Sequence, residues 1–422
     1  MRIAYVCADP GIPVFGTKGA SVHVQEVIRV LLGAGHTVEL FCRRSGGSPA
    51  GPLARATDEG RLLTHRLKRV TGGDLADRER RLTHADAEMR SALAAAAGRR
   101  GFDAVYERYS LFSRAGTAYA AAHGIPSVLE VNAPLPLEQA RHRGLVHVAE
   151  ASTVARDVLA VATAAVCVSE PVAAWARRQS PRAHVVVEPN GVDTDRIRPA
   201  PRSGRRPFTV GFVGTLKPWH GTETLLEAFG RVVPAVPDAR LVLVGDGPQA
   251  EPLRRLAHER GLADAVTFTG SVAPSEVPGW LGAMDVAAAP YPAPEMSGET
   301  YFSPLKVLEY MAAGLPVVAS AVGQLTDLVC HERDGVLVPA SDPAALAAAL
   351  TQLAAQPQRR HRLGRAARQT VEQARTWGQV VRRSFAAAGL SLDADADARA
   401  GMLPGPLRAD ATGHNDPVRS LA

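Results

Sequence analysis

Residues 303–320 read SPLKVLEYMAAGLPVVAS and combine a helix with a buried strand. Ser303 before a proline is typical of a helix N-cap followed by the first helical residue. Gly314 and Pro316 end that helix, and the apolar run after them predicts a buried strand. The stretch is therefore one repeat of an alternating α/β pattern, which is typical of a parallel sheet covered by helices.

The same alternation extends in both directions and forms two successive series. The first series predicts strands at residues 3–7, 37–42, 104–106, 127–131, 164–168 and 184–187. The second predicts strands at residues 209–213, 241–244, 266–269, 286–288, 316–320 and 335–338. Residues 49–90 are polar and mixed in charge, and loops with one or two helices are expected there. Two such series predict an α/β protein with two doubly wound, Rossmann-like domains, whose ligands bind beyond the carboxyl ends of the strands.

The boundary between the domains falls at residues 199–207, PAPRSGRRP, whose proline, glycine and charged residues are typical of a linker. We therefore expect an N-terminal domain at residues 1–198 and a C-terminal domain at residues 208–370. Residues 390–422 are rich in Ala, Asp, Gly and Pro without periodicity, which predicts a disordered tail.

The composition supports packed cores and limits the classes of partner. The 422 residues are 46 % apolar and 21 % charged, which excludes wholesale disorder. The net charge is +6, but acidic residues interleave the basic ones and only 5 % of residues are aromatic, which argues against a nucleic-acid partner. Four widely spaced cysteines without a CxxC pair favour neither a disulfide scaffold nor a zinc site. An anionic small molecule accounts better for the positive charge.

The N-terminus lacks the long apolar segment of a signal peptide, and the longest apolar run, residues 158–168, is too short to cross a bilayer. These features predict a cytoplasmic location. A weak peripheral contact with a membrane through basic residues near 175–178 remains an alternative to an ordinary solvated helix face.

The helix of the opening stretch carries two charged residues whose positions favour a phosphate site. Lys306 lies in the first turn, where the positive end of the helix dipole disfavours a cation. An anion bound at the same helix terminus would reverse that cost, because free backbone N–H groups and an ammonium group together hold a phosphate. Glu309 follows about one turn later on the same face and is suited to accept hydrogen bonds from a ribose diol.

A second candidate segment is GTLKPWHG at residues 214–221, which follows a predicted strand and precedes a helix. Lys217 and His220 are two potential cations in this loop, and Gly214 allows close backbone approach, which together suit a diphosphate. Trp219 is interpreted as a packing anchor.

The first strand and first helix enclose a third loop, which contains Gly16, Lys18 and Gly19. Its glycines allow close approach of a ligand or of the opposite domain. The loop is not the GxGxxG fingerprint, and no acid follows the second strand, which argues against a nicotinamide-dependent oxidoreductase. Only four of the 48 basic residues are lysines, and three of these four fall in the three candidate loops.

Four elements together, GTLKPWHG, LVLVGDGP, EPNGVD at residues 188–193 and SPLKVLEYMAAGLPVVAS, resemble the retaining glycosyltransferases of family 4 with the GT-B fold. The resemblance covers residues 1–389. It implies two domains that close on a nucleotide-diphosphate sugar, a UDP- or GDP-sugar, with the donor on the C-terminal domain and the acceptor on the N-terminal domain. It also implies a helix at residues 371–389 that crosses back to the N-terminal domain, anchored by Trp377.

The resemblance implies transfer of the sugar with retention of anomeric configuration, without a metal or another cofactor. Glu309 matches the second glutamate of the family's paired motif and is implied in holding the donor ribose. The turn at Ser303, Pro304 and Leu305 corresponds to the diphosphate cradle, to which Lys306 adds a cation.

The sequence departs from the family at two places. Tyr301 occupies the position of the first glutamate of the pair, and Thr215 and His220 replace the arginine and lysine that usually grip the diphosphate. Lys217 is then the substitute cation. A branch of the family with an SPLK…EYMAAG motif shares these changes, so they are interpreted as a variant site.

Acceptor-side candidates come from the N-terminal domain, and they are Glu107, Arg108, Glu130 and Asn132. The predicted catalytic residues are Lys217, Glu309 and Asn132.

The sequence leaves several alternatives open. A sugar-nucleotide epimerase or a phosphorylase shares the same fold, and a catalytically silent homologue would keep only the nucleotide site. The sugar, the nucleotide base, the linkage and the oligomeric state are not predicted. The acceptor is not identified either, and its candidates include a small-molecule natural product and a glycan or lipid of the cell envelope.

Overall fold

The computed structural model describes residues 1–201, 206–294 and 301–392, and these residues form two α/β domains. The sheet of the N-terminal domain has the strands β1 (Arg2–Cys7), β2 (Thr37–Cys42), β3 (Leu62–Arg66), β4 (Ala104–Arg108), β5 (Ser127–Val131), β6 (Ala164–Cys167) and β7 (Val185–Val187). Their order is β3-β2-β1-β4-β5-β6-β7, and every neighbouring pair is parallel.

A second parallel sheet forms the centre of the C-terminal domain. Its strands are β8 (Thr209–Val213), β9 (Arg240–Val244), β10 (Val266–Gly270), β11 (Val286–Ala289), β12 (Val317–Ser320) and β13 (Gly335–Val338). The order is β10-β9-β8-β11-β12-β13, so the chain runs outward from β8 and then returns to its other side. This reversal at the central strand is the doubly wound topology that the alternation predicts.

Helices cover both sheets and join the parallel strands. In the N-terminal domain they are α1 (Gly19–Gly33), α2 (Pro52–Asp58), α3 (Leu75–Ala97), α4 (Ala115–His123), α5 (Leu135–His142), α6 (Val148–Val161) and α7 (Glu170–Gln179). The later helices are the short 3-10 turn at Pro218–His220 and α8 (Thr222–Val232), α9 (Ala250–Glu259), α10 (Val277–Gly282), α11 (Leu305–Ala312), α12 (Leu325–Leu328), α13 (Pro343–Ala355), α14 (Pro357–Ala374) and α15 (Trp377–Ala387).

The predicted strands lie where the structure has strands, with ends shifted by no more than a few residues, but β3 was not predicted. It falls inside residues 49–90 and reads LLTHR. It is an edge strand with one fully buried apolar residue, Leu62, while Leu63 is 43 % exposed. A strand that buries so little apolar surface leaves almost no alternating pattern in the sequence.

The chain crosses back to the N-terminal domain through α15, and the prediction of one helix over residues 371–389 is wrong in its bounds. The helix α14 ends at Ala374 and α15 starts at Trp377. Thr376 and Gln379 form a capping box, in which each side chain satisfies the other residue's backbone N–H, so a new helix starts there. Trp377 is 3 % exposed within the core of the N-terminal domain, as expected for an anchor.

Three other sequence predictions concern the C-terminal tail, the linker and a membrane contact. The predicted tail begins too early, because Leu392 is 4 % exposed in the N-terminal core; residues 393–422 are outside the described part. The predicted linker at 199–207 also contains undescribed residues, 202–205. Trp175 is 4 % exposed in a hydrophobic cluster, whereas Arg177 and Arg178 are exposed, so a weak membrane contact through this helix stays a prediction. Within the described ranges, no helix has the length and apolar character needed to cross a membrane.

Candidate active site

The start of α11 lies at the boundary between the two domains. Its first residue is Leu305, the cap position is Pro304, and no side chain caps the helix. The predicted cap, Ser303, is instead bound to the N-terminal side of the chain: its Oγ accepts from the Asn190 backbone N–H at 3.0 Å, and its carbonyl accepts from Asn190 Nδ2 at 3.0 Å. The cap prediction is therefore wrong, and the helix start is left without a side-chain acceptor.

Lys306 points its ammonium group into the domain, beneath the loop that follows β8. Its Nζ is fully buried and has no hydrogen-bond partner in the described part of the chain. It lies 4.2 Å from the ring centroid of Phe212 and 5.2 Å from that of Tyr291, and a Cβ added to Gly214 would lie 3.1 Å from it. Burial lowers the pKa of Lys306 to about 7, although Glu309 acts in the opposite direction. A desolvated amine of this kind gains strongly from a bound anion.

The loop at residues 214–221 carries two predicted binding residues, Lys217 and His220, of which His220 lies near Lys306. Lys217 Nζ lies 4.6 Å from the ring centroid of Trp219, and Trp219 is 55 % exposed, so its interpretation as a packing anchor is wrong. His220 Nδ1 donates to the Thr215 carbonyl at 2.5 Å. Burial, with Lys306 nearby, lowers the pKa of His220 to about 4. His220 is therefore neutral at pH 7 and is not the cation that the sequence suggested.

Glu309 lies one turn beyond Lys306 on α11, and its carboxylate is held by a residue that the sequence did not single out. Arg196 Nη2 donates to Glu309 Oε1 at 3.1 Å. Burial raises the pKa of Glu309, and the Arg196 guanidinium opposes that shift. The two residues are 113 positions apart, so no local pattern could pair them.

The N-terminal glycine loop packs against the start of α11. A Cβ added to Gly19, the first residue of α1, would lie 3.5 Å from Leu305 Cδ1. Gly16 is held within its own domain, because its N–H donates to the Pro13 carbonyl at 2.9 Å and its carbonyl accepts from Gln25 Nε2 at 2.9 Å. Lys18 is exposed at the N-cap position of α1. The loop therefore brings one exposed cation to the domain boundary.

Three of the four acceptor-side candidates form one buried cluster around Glu130, which is 2 % exposed. Its carboxylate accepts from Tyr106 Oη at 2.7 Å and from the side chains of Arg108 and Asn132. His23 Nε2 lies 3.1 Å from Glu130 Oε2 and was missed by the sequence reasoning. His23, Arg108 and these hydrogen bonds outweigh burial and hold the pKa of Glu130 well below its usual range. Glu130 is thus an ionised centre that orients Asn132.

Glu107 does not join this cluster. Its carboxylate accepts from the backbone N–H groups of Gly116 at 3.2 Å and Thr117 at 2.7 Å, at the start of α4. Successive side chains of a strand point to opposite faces, so Glu107 and Arg108 separate on β4. Burial raises the pKa of Glu107 to about 7. The structure therefore places Glu107 at a helix terminus on the other face of the sheet.

Tyr301, at the position of the family's first glutamate, also lies at the domain boundary. Its carbonyl accepts from Ser169 Oγ at 2.7 Å, and burial raises the pKa of its phenol.

A separate cavity of about 140 Å³ opens in the N-terminal domain, beyond the carboxyl ends of β1, β2 and β4. Polar side chains in its lining include Asp9, Arg78, Gln139 and Arg143.

Two α/β domains, each built on a doubly wound parallel sheet, are the architecture of the GT-B fold, and solved structures with that architecture match this chain. Sucrose-phosphate synthase from Thermosynechococcus elongatus matches with a TM-score of 0.67 at 23 % identity, over 91 % of this chain and 97 % of that one. HepE from Anabaena, in complex with UDP, matches with a TM-score of 0.62 at 18 % identity, over 91 % and 98 %. The predicted GT-B fold is confirmed.

Two family models match consecutive parts of the chain. Residues 17–196 match the model described as Glycosyltransferase Family 4, and residues 207–356 match the model described as Glycosyl transferases group 1. Each domain therefore carries a glycosyltransferase family signature, which confirms the resemblance at that level. The narrower branch with the SPLK motif stays a prediction.

Curated relatives share part of this sequence. A GDP-mannose-dependent alpha-(1-6)-phosphatidylinositol monomannoside mannosyltransferase of Mycobacterium tuberculosis is 37 % identical over 207 residues, which cover 47 % of this chain and 54 % of that protein. D-inositol 3-phosphate glycosyltransferase 2 of Catenulispora acidiphila is 35 % identical over 206 residues, 44 % of this chain and 46 % of that protein. The chain thus spans about half the length of the curated relatives it matches.

Proposed function

We propose that the protein transfers a sugar from a UDP- or GDP-sugar to a hydroxyl acceptor, with retention of configuration and without a metal. The observation that carries this proposal is Lys306, a buried amine without a hydrogen-bond partner among the described residues, at the uncapped start of α11. Glu309 follows one turn later. This pairing suits a nucleoside diphosphate, whose diphosphate and ribose are the two groups that a helix terminus and a carboxylate bind.

In the proposed reaction, the bond between the anomeric carbon and the diphosphate oxygen breaks, and negative charge develops on the diphosphate. Lys306, Lys217 and the backbone N–H groups at the start of α11 stabilise that charge, which lowers the barrier. The acceptor oxygen bonds to the anomeric carbon on the face that the diphosphate leaves. The proton of the acceptor hydroxyl passes to a diphosphate oxygen, so atoms and charge balance.

The acceptor would approach from the N-terminal domain. Asn132, fixed by the Glu130 carboxylate, is the candidate for a hydrogen bond to the acceptor or to the transferred sugar. Support for a polyol or lipid-linked acceptor comes from the relatives, whose names specify an inositol phosphate and a phosphatidylinositol mannoside. A cytoplasmic location fits a reaction that uses nucleotide sugars.

The first experiment is calorimetric titration of the full chain with GDP-mannose and UDP-glucose in the presence of EDTA. Binding of either compound, weakened at least about tenfold in Glu309→Ala, is the expected result, because a charged hydrogen bond contributes about 1.5–3 kcal/mol. The proposal is abandoned if a folded protein binds neither compound or if the Glu309 variant binds as the wild type does.

Turnover then separates the alternatives. The bound nucleotide sugar is incubated with inositol, inositol phosphate and a phosphatidylinositol mannoside, and products are analysed by NMR for anomeric configuration. An α-glycoside from an α-linked donor is expected. An isomerised nucleotide sugar without an acceptor would indicate an epimerase, a requirement for free phosphate a phosphorylase, and binding without any product a silent homologue.

A further inference from the structure

Arg196 connects Glu309 to a part of the chain that lies outside the three candidate loops. Its Nη2 donates to Glu309 Oε1 at 3.1 Å, and its Nη1 donates to the Pro274 carbonyl at 3.3 Å. Within the described part of the chain, the bond from Arg196 is the one hydrogen bond to the Glu309 carboxylate, so Glu309 Oε2 is not engaged. The Glu309 side chain keeps 22 % of its surface exposed, which leaves room for a ligand at that oxygen.

Asp193 fixes the turn that carries Arg196. Its Oδ1 accepts from the backbone N–H groups of Asp195 at 2.9 Å and Arg196 at 3.0 Å. Its Oδ2 lies 3.1 Å from Arg29 Nη2, and the same Nη2 lies 2.6 Å from Glu26 Oε2. Because Glu26 and Arg29 belong to α1, this chain of opposite charges ties the turn to the first helix of the N-terminal domain.

Val192, the residue before Asp193, is held by the segment that joins α14 to α15. The Val192 N–H donates to the Arg375 carbonyl at 2.9 Å, and the Trp377 N–H donates to the Val192 carbonyl at 3.2 Å. The backbone that precedes Arg196 is therefore fixed from two sides, by α1 and by the segment between α14 and α15. A side chain on so constrained a turn has few positions available, which suits it to hold another group in place.

We infer that Arg196 is a positioning residue of the donor site, which orients the Glu309 carboxylate so that its free oxygen accepts from the ribose diol of the nucleotide. The inference rests on the proposed function and adds a residue and a role to it. Arg196 need not touch the nucleotide, because its effect passes through Glu309.

The charges around Glu309 agree with this role. Burial and the nearby Glu26 raise the pKa of Glu309, while Arg196, and to a smaller degree Lys306, lower it. Without the guanidinium, the pKa of this partly buried carboxylate would rise further, and its side chain would rotate freely. Both changes weaken a hydrogen bond from the ribose, and neither affects contacts with the diphosphate directly.

The test compares nucleoside diphosphates with and without the ribose 2′-hydroxyl. The full chain is titrated with GDP, 2′-deoxy-GDP, UDP and 2′-deoxy-UDP in a calorimeter, and the pair that binds is used for the variants. In the wild type the deoxy compound is expected to bind about tenfold more weakly, the effect of one charged hydrogen bond. Arg196→Met should bring that ratio to about twofold or less, and Arg196→Lys should restore part of it.

Arg198→Met is the matched control, because Arg198 is 69 % exposed, pairs with Asp195 and lies two residues away. It should keep the full ratio, and all variants should keep the wild-type melting temperature within a few degrees. A ratio that stays near tenfold in a folded Arg196→Met variant overturns the inference alone. If the wild type binds none of the four compounds, or binds the deoxy compound equally well, the ribose site of the proposed function fails and the inference falls with it.

Discussion

Gly19 and Leu305, the first residues of α1 and α11, face each other across the domain boundary, with 3.5 Å between an added Cβ of Gly19 and Leu305 Cδ1. Two helix N-termini from different domains thus meet at one point. Both positive helix ends favour an anion there, and the absence of a side chain at Gly19 sets how closely the domains approach.

Gly19→Leu should therefore hold the domains apart without unfolding either one. The expected result is a loss of roughly 10- to 100-fold in kcat/KM, because small misplacements of reacting groups cost about that much. Gly33→Leu is the matched control at the other end of α1, where an added Cβ meets no atom within 4 Å. Steady-state kinetics on both variants checks this, and equal activity of the two would contradict the geometric argument.

Lys306 predicts a pH dependence of donor binding. Its pKa is about 7 in the free protein, and a bound diphosphate raises it, so binding takes up a proton above pH 7. Affinity for a nucleotide sugar should be full below pH 7 and fall about tenfold per pH unit above it, until the bound-state pKa is reached. Titrations from pH 6 to pH 9 measure this with GDP-mannose or UDP-glucose, whose esterified phosphates do not titrate in that range.

Lys306→Met should bind weakly at every pH and lose the slope. Lys217→Met should also bind more weakly but keep the slope, because no titrating group is removed from the buried position. A slope that persists in the Lys306 variant would assign the proton uptake to another group nearby, such as His220 or Glu309.

Glu107 predicts a pH dependence of stability. Burial raises its folded pKa to about 7 from a usual value of 4.5, so between these values the folded state binds the proton more tightly. Its contribution is fully present below pH 4.5 and is lost as the pH rises through 7, a change on the order of 3 kcal/mol. Glu107→Gln should remove this dependence, and urea unfolding at pH 5 and pH 8 compares the two proteins. Parallel changes in both would show that Glu107 is ionised throughout.

Trp377 and Trp219 should differ in their effect on stability. Trp377→Ala removes an anchor that is 3 % exposed and should destabilise the protein by about 3–5 kcal/mol. Trp219→Ala removes a side chain that is 55 % exposed and should change stability by no more than about 0.5 kcal/mol. Denaturant unfolding gives both values, and similar losses would contradict the burial difference.

The fold could be predicted because parallel strands that are buried on both faces leave short apolar runs between helices. That pattern located strands in both domains and failed at β3, whose residues are half exposed. Helix α11 could also be predicted, since its proline start, its apolar residues and its glycine stop lie close together in the sequence.

The rest of the site depends on contacts between distant positions. Ser303 looked like a helix cap, but its hydroxyl binds Asn190, 113 residues away. Arg196 and His23 left no local signal, because their partners, Glu309 and Glu130, lie in other elements. The charge of His220 depends on burial near Lys306, which residue type alone does not reveal.

The crossing of α15 has a consequence for synthesis on the ribosome. Phe385 is fully buried and stacks on Tyr106 of β4, with 6.0 Å between ring centroids, and Leu392 completes the same cluster. The N-terminal sheet is made first, yet its core lacks these side chains until residue 392 has emerged. The domain that begins the chain is therefore completed only after the C-terminal domain has been translated.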